Sequence, residues 1–139
     1  MKIDDIIAIL RRNPLFRPVR QDRLRFMVLS GAEQQLAGGE MLFDRGDEGD
    51  AAYVVLSGAV QPIIKQGGRD IPLARLGPGE LFGEIAVLCD KARTAAIIAE
   101  GPTAILRLEA DALSDLLQEF PDLALEFIRS LATRLEATS

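Results

Sequence analysis

One carboxylate and one guanidinium stand out in this sequence: Glu84 and Arg93, nine positions apart within the run LFGEIAVLCDKARTAA at residues 81–96. Phe82-Gly83-Glu84 opens the run, the apolar tetrad Ile85-Ala86-Val87-Leu88 follows, and Arg93-Thr94-Ala95 closes it. The segment between them is long enough for one helical turn and a tight return. An arginine presents a planar fork of donors matched to a phosphate, and a carboxylate accepts from hydroxyls. A helix beginning after Gly83 would aim unpaired N–H groups at an anion, and a glycine there lets a ligand approach the backbone closely. A group that is anionic on one side and hydroxylated on the other describes a sugar phosphate.

The rest of the chain has to position those residues. Apolar residues at 3, 6, 7 and 10 follow a helical period, with Asp4 and Asp5 early, Arg11 and Arg12 late, and Asn13-Pro14 as the stop. Leu15-Phe16 reads as a buried anchor. A second helix is expected over 21–29, with Leu24 and Val28 inward and Phe26 a further inward candidate. From Glu33 the period changes. Strand-sized pieces lie at 33–37 and 40–43, and a Gly- and Asp-rich loop at 45–50 must turn sharply, with Arg45, Asp47 and Asp50 read as turn residues. Residues 52–56 have the strongest strand character, and Tyr53 is expected in the wall of the fold. The strand at 60–65 contains Pro62, which points to an edge or a bulge. Gly67-Gly68 signals a two-residue hairpin, 73–76 is expected to pair back, and 77–80 turns the chain into the Glu84–Arg93 run.

Two more strands are expected at 95–99 and 103–108, and the remainder is helical. A helix at 111–119 ends before Pro121, which can open the next one. That last helix carries an apolar stripe of Ala124, Phe127, Ile128, Leu131 and Leu135, expected to pack on the β-structure. Short strands with turn residues every 8–12 positions describe a barrel or jelly roll.

Composition narrows the chemistry. The chain has 139 residues, 48% of them apolar and 27% charged, a single-domain length that needs no covalent staple. Its apolar runs are short and broken by charges, and the first residues lack a signal-peptide pattern, so a cytoplasmic protein without membrane insertion is expected. One cysteine and no histidine exclude an intrachain disulfide, a Cys₂His₂ zinc site, a histidine-held haem and Ser-His-Asp or Cys-His catalysis. Cys89 reads as a small buried hydrophobe. The net charge of −5 gives no general attraction to nucleic acid, so an anionic ligand depends on local positive potential.

Together, F-G-E-I-A, a short loop and R-T-A resemble the phosphate-binding cassette of cyclic nucleotide-binding domains, and the G-D-E-G-D…Y…L-S-G pattern of residues 46–58 extends the likeness beyond the cassette. The resemblance implies an α+β fold: an eight-stranded antiparallel β-roll over residues 31–110, with N-terminal helices at 1–30, a short cassette helix and two C-terminal helices at 111–139. It implies that Arg93 holds the cyclic phosphate and Glu84 the ribose 2′-hydroxyl. Phe82, Gly83, Ile85, Ala86, Thr94 and Ala95 complete the ligand site. The end of the chain also resembles the helix of bacterial catabolite activators in which a Thr-Ser pair touches the adenine amino group. Thr138 and Ser139 match that pair, which favours cAMP over cGMP, although Thr94 is compatible with either.

The function that follows is a regulatory sensor with a cyclic nucleotide as ligand, no other cofactor, and no enzymatic activity. A protein partner or output domain is expected, with a homodimer through the last helix as one form of it. The helix-turn-helix that follows in those activators is absent, so no nucleic-acid partner is expected. The alternative is a module of the same fold that binds no ligand and serves only as a protein–protein or dimer surface. A small carboxylate-based enzyme on a jelly roll is a third, more distant class.

Overall fold

The computed structural model describes residues 1–138; the side chains of residues 130, 131 and 134–138 lie outside that description. Two helices come first, α1 (Ile3–Leu10) and α2 (Gln21–Ser30). The strands are β1 (Ala32–Leu36), β2 (Met41–Phe43), β3 (Ala51–Ser57), β4 (Val60–Gln66), β5 (Arg69–Pro72) and β6 (Leu81–Phe82), then β7 (Ala96–Ala99) and β8 (Thr103–Glu109). The short α3 (Glu84–Leu88) separates β6 from β7, and α4 (Ala110–Glu119) and α5 (Pro121–Thr138) close the chain. The strands form two four-stranded sheets, ordered β1-β8-β3-β6 and β2-β7-β4-β5, with every pairing antiparallel. This is the expected α+β roll of eight antiparallel strands flanked by helices.

Two cores result from the alternation of side chains along each strand. Tyr53 and Val55 of β3 point between the sheets, where they join Leu36, Val60, Phe82, Ile97 and Ile105. Val54 and Leu56 point the other way, onto a layer built from Ile6, Leu10, Phe16, Leu24, Met27 and Val28 at the N-terminus and Leu113, Leu116, Leu123 and Phe127 at the C-terminus. Because β3 is buried on both faces, it reads as a continuous apolar run. The rings of Phe16 and Phe127 meet edge to face with their centroids 6.5 Å apart, so the N-terminal anchor and the last helix share one core.

Several expectations are corrected. Met27, not Phe26, is the third inward residue of α2, and Phe26 is 55% exposed. Residues 24, 27 and 28 follow the i, i+3, i+4 stripe, whereas 26 lies across the helix. The returning strand is β5, not 73–76; Leu76 keeps only an isolated bridge to Val60. The hairpin is the tightest available: Gln66 faces Arg69 across Gly67-Gly68, both at positive φ. Its ladder ends at Ile63 opposite Pro72, because the next residue, Pro62, has no N–H to donate. Leu73 N–H still donates to Pro62 O, and Gln61 Nε2 donates to Leu73 O in place of the missing backbone donor. Pro62 therefore sits in a strand flanked by β7 and β5, neither edge nor bulge, at the point where one neighbour leaves. Leu123 and Phe127 pack inward from α5, while Ile128 is 63% exposed and departs from the expected stripe. Cys89 is exposed rather than buried. The expectation for Thr138 and Ser139 lies outside the described residues.

Candidate functional site

The site is assembled where β6 runs into α3. Phe82 pairs with Tyr53 of β3, which stacks on its ring at a centroid separation of 5.4 Å. Gly83 then turns the chain at φ +79° and becomes the N-cap of α3. A Cβ there would be strained by the left-handed backbone and would lie 2.7 Å from Arg93 Nη1, so glycine is required twice over. Glu84 is 3% exposed and Ala86 is 8% exposed, while Ile85 turns outward. The loop at 44–50 seats α3 closely: a Cβ on Gly49 would fall 2.5 Å from the Cβ of Ala86.

Arg93 is clamped before its side chain is considered. Its N–H donates to Asp47 O at 2.8 Å, and its own carbonyl accepts from Gly46 N–H at 2.8 Å. The side chain is buried, with 4% of the residue exposed. Nη1 donates to Gly83 O at 2.7 Å and Nη2 to Ala51 O at 2.5 Å. The guanidinium carbon lies 4.1 Å from the centre of the Phe43 ring and 5.9 Å from that of Tyr53. The nearest carboxylate paired with it, Asp50, is 3.7 Å away and largely solvated. Among the described residues, Arg93 Nε–H has no hydrogen-bond partner. Burial holds the Arg93 guanidinium below the ordinary arginine range, against the opposing influence of Tyr53 and Asp50. This is a buried cation whose charge the protein compensates incompletely.

Asp50 also meets Arg107 Nη2 at 3.0 Å, and Arg107 bonds Glu109 at 2.7 Å and the Tyr53 hydroxyl at 2.7 Å. Partial burial pushes the Asp50 carboxyl up, but the hydrogen bond and charge of Arg107 outweigh that, and the group sits below its ordinary value. Asp50 is thus more than a turn residue. The Asp47 side chain caps the Asp44 N–H within the loop, and Arg45 ties the loop to the β4–β5 hairpin through Ile63 O and Asp70.

Glu84 and Arg93 face a cavity of about 610 Å³, within the size range of small-molecule sites. All eight sequence candidates from Phe82 to Ala95 line it. Its apolar lining was not anticipated: Phe43 from β2, beside Arg93, with Pro62 from β4, Leu76, and Ile97 from β7. Arg12, Asn13 and Lys91 stand at its margin, and Asn13 Nδ2 donates to Gly79 O at 3.1 Å, tying the N-terminal helices to the turn before β6. A lining that combines buried charged groups with apolar side chains suits a ligand with a charged sugar end and a flat aromatic end. Among the described residues, no group of three or more Asp, Glu or Cys is placed to hold a metal ion, and no helix is long and apolar enough to cross a membrane.

A two-sheet roll that brings a buried arginine and a buried glutamate to one cavity defines a small-ligand-binding β-roll. The pattern of the cyclic nucleotide-binding domain matches residues 33–120, and the chain belongs to that family. Among solved structures it is similar to the N-terminal domain of a transcriptional regulator from Streptomyces coelicolor, at 38% identity and a TM-score of 0.77, covering 94% of each chain. It is 32% identical to the cyclic AMP receptor protein of Thermus thermophilus over 91% of this chain and 59% of that one. The structure of the catabolite activator protein from the same organism superposes with a TM-score of 0.85, covering 91% of this chain and 60% of that chain. The cAMP-dependent protein kinase regulatory subunit of Yarrowia lipolytica is 32% identical over 78% of this chain and 28% of its own length. The chain spans less than two thirds of the curated relatives it matches.

Proposed function

We propose that this chain is a regulatory sensor that binds cAMP in preference to cGMP and performs no chemistry on it. The observation that carries the reading is the incompletely compensated Arg93, whose buried Nε–H has no partner among the described residues, beside the cavity that Arg93 and Glu84 both line. A cyclic phosphate supplies the missing acceptor and the missing charge. Glu84 takes the ribose 2′-hydroxyl, the backbone of Gly83 and Ala86 and the Thr94 hydroxyl add contacts, and the base lies toward the apolar lining. The choice of cAMP is supported by the names of two relatives, a cyclic AMP receptor protein and a cAMP-dependent kinase regulatory subunit. It is also supported by the Thr138-Ser139 ending.

The output is a population shift toward the state that the ligand binds better. Val87 of α3 packs on the core that contains Leu113 and Leu116 of α4 and Phe127 of α5, so movement of the cassette helix reaches the C-terminal helices through apolar contacts. Leu125 and Ile128 of α5 remain exposed, and the partner, output domain or second copy engages that helix. Calorimetric titration of nucleotide-stripped protein with cAMP, cGMP and linear AMP tests the reading. Micromolar or tighter cAMP binding, weaker cGMP binding and no AMP binding are expected. No heat and no thermal shift with any of the three would leave the ligand-free interaction module of the same fold.

A further inference from the structure

We propose that Phe43 is a positioning residue for Arg93, holding the guanidinium by the face of its ring so that the cation stays fixed beside the cavity that takes the anion. The inference rests on the cyclic-nucleotide reading above. Arg93 is buried, and among the described residues its side chain bonds two backbone carbonyls and pairs with one solvated carboxylate at 3.7 Å. Neutral carbonyls and a distant, screened carboxylate offset only part of the cost of burying a full charge. The Phe43 ring, 4.1 Å from the guanidinium carbon, is well inside the distance at which an aromatic face attracts a cation, and the effect grows when the pair is desolvated.

Phe43 is itself held. Its ring lies 5.9 Å from Tyr53 and 6.4 Å from Phe82, and Tyr53 and Phe82 stack on one another. Tyr53 is fixed from the far side by Arg107 through its hydroxyl. The Arg93 side chain therefore rests on Phe43 of β2, which Tyr53 of β3 and Phe82 of β6 support, while its backbone is clamped by the loop at 44–50. An apolar residue of similar size would fill the same space but give the cation no electrostatic face. Phe43 also lines the cavity, which places the ring beside both the arginine and the ligand.

Stepwise fluorination separates the two roles, because it drains the ring quadrupole while preserving shape and adding hydrophobicity. We would measure the cAMP dissociation constant of protein carrying mono-, di- and trifluorophenylalanine at position 43, with Phe43→Leu, Phe43→Tyr and Arg93→Ala alongside and thermal melting as control. Affinity is expected to weaken in step with fluorination. Phe43→Leu should lose roughly 5- to 30-fold, the equivalent of a desolvated cation–π contact, and Phe43→Tyr should keep most of the affinity. Unchanged affinity across the fluorinated series, with Arg93→Ala still losing binding, would overturn the role of Phe43 and leave the cassette reading standing. Wild-type protein that binds no cyclic nucleotide would overturn both.

Discussion

Arg93 and Arg107 touch the same carboxylate, Asp50, and flank the same ring, Tyr53, yet their electrostatic situations are opposite. Arg107 is partly solvated and surrounded by Glu109, Asp50 and the Tyr53 hydroxyl, and the hydrogen bond to Glu109 leads the influences that raise it above the ordinary arginine value. Arg93 is buried, faces two neutral carbonyls and a ring, and is pulled the other way by its burial. An arginine whose partners are complete is a structural staple. One that is buried with a donor left over is poised for an anion from outside. Under the proposed function, the same chemistry divides into scaffold at Arg107 and site at Arg93, and the difference lies in what surrounds each guanidinium.

The sharpest way to break that comparison is to remove each arginine in turn. Arg93→Ala should weaken cAMP binding by about 2–5 kcal/mol, roughly 30- to 5,000-fold by calorimetry. Its melting temperature should move little, because losing two hydrogen bonds and relieving a buried charge oppose each other. Gly83→Ala comes next: the left-handed backbone costs about 1 kcal/mol and the new methyl displaces Arg93 Nη1, so affinity should fall by more than stability does. Glu84→Gln keeps an acceptor for the 2′-hydroxyl and should cost about 1–2 kcal/mol of affinity, less than Arg93→Ala. Arg107→Gln should show the reverse balance, about 1 kcal/mol of stability by denaturant unfolding with a smaller change in affinity.

The smallest effect is a pH dependence. Asp50 is held below its ordinary value of 3.8, so its ionised form contributes stability above that pH and the contribution is lost as pH falls. Asp50→Asn should lower the melting temperature at neutral pH by about 1–4 °C, a modest amount because the carboxylate is mostly solvated. The gap between wild type and variant should close as pH falls below 3.8 and through the lowered folded-state value.

The cassette was legible because its parts are local. Glu84, Arg93 and the glycine between strand and helix fall within a dozen residues, and all three line one cavity. The apolar lining was not legible, since Phe43, Pro62, Leu76 and Ile97 meet only through the register of β2, β4 and β7. Likewise, Gly49 looked like a turn residue, whereas its tightest constraint is the close approach of Ala86, 37 positions on. Asp50 belonged to an obvious turn, and nothing in a linear reading announced that two arginines from β8 and the cassette loop would converge on it. Pro62 shows the same limit in the fold: the proline rule is sound, but whether a neighbouring strand has already departed at that point depends on where the hairpin ladder stops.

The most direct measurement is a side-by-side calorimetric titration of cAMP into nucleotide-stripped wild type, Arg93→Ala and Arg107→Gln at one salt concentration. The account expects binding by the wild type, near-wild-type binding by Arg107→Gln, and a loss of at least roughly 30-fold in Arg93→Ala. Equal affinity of wild type and Arg93→Ala would contradict it.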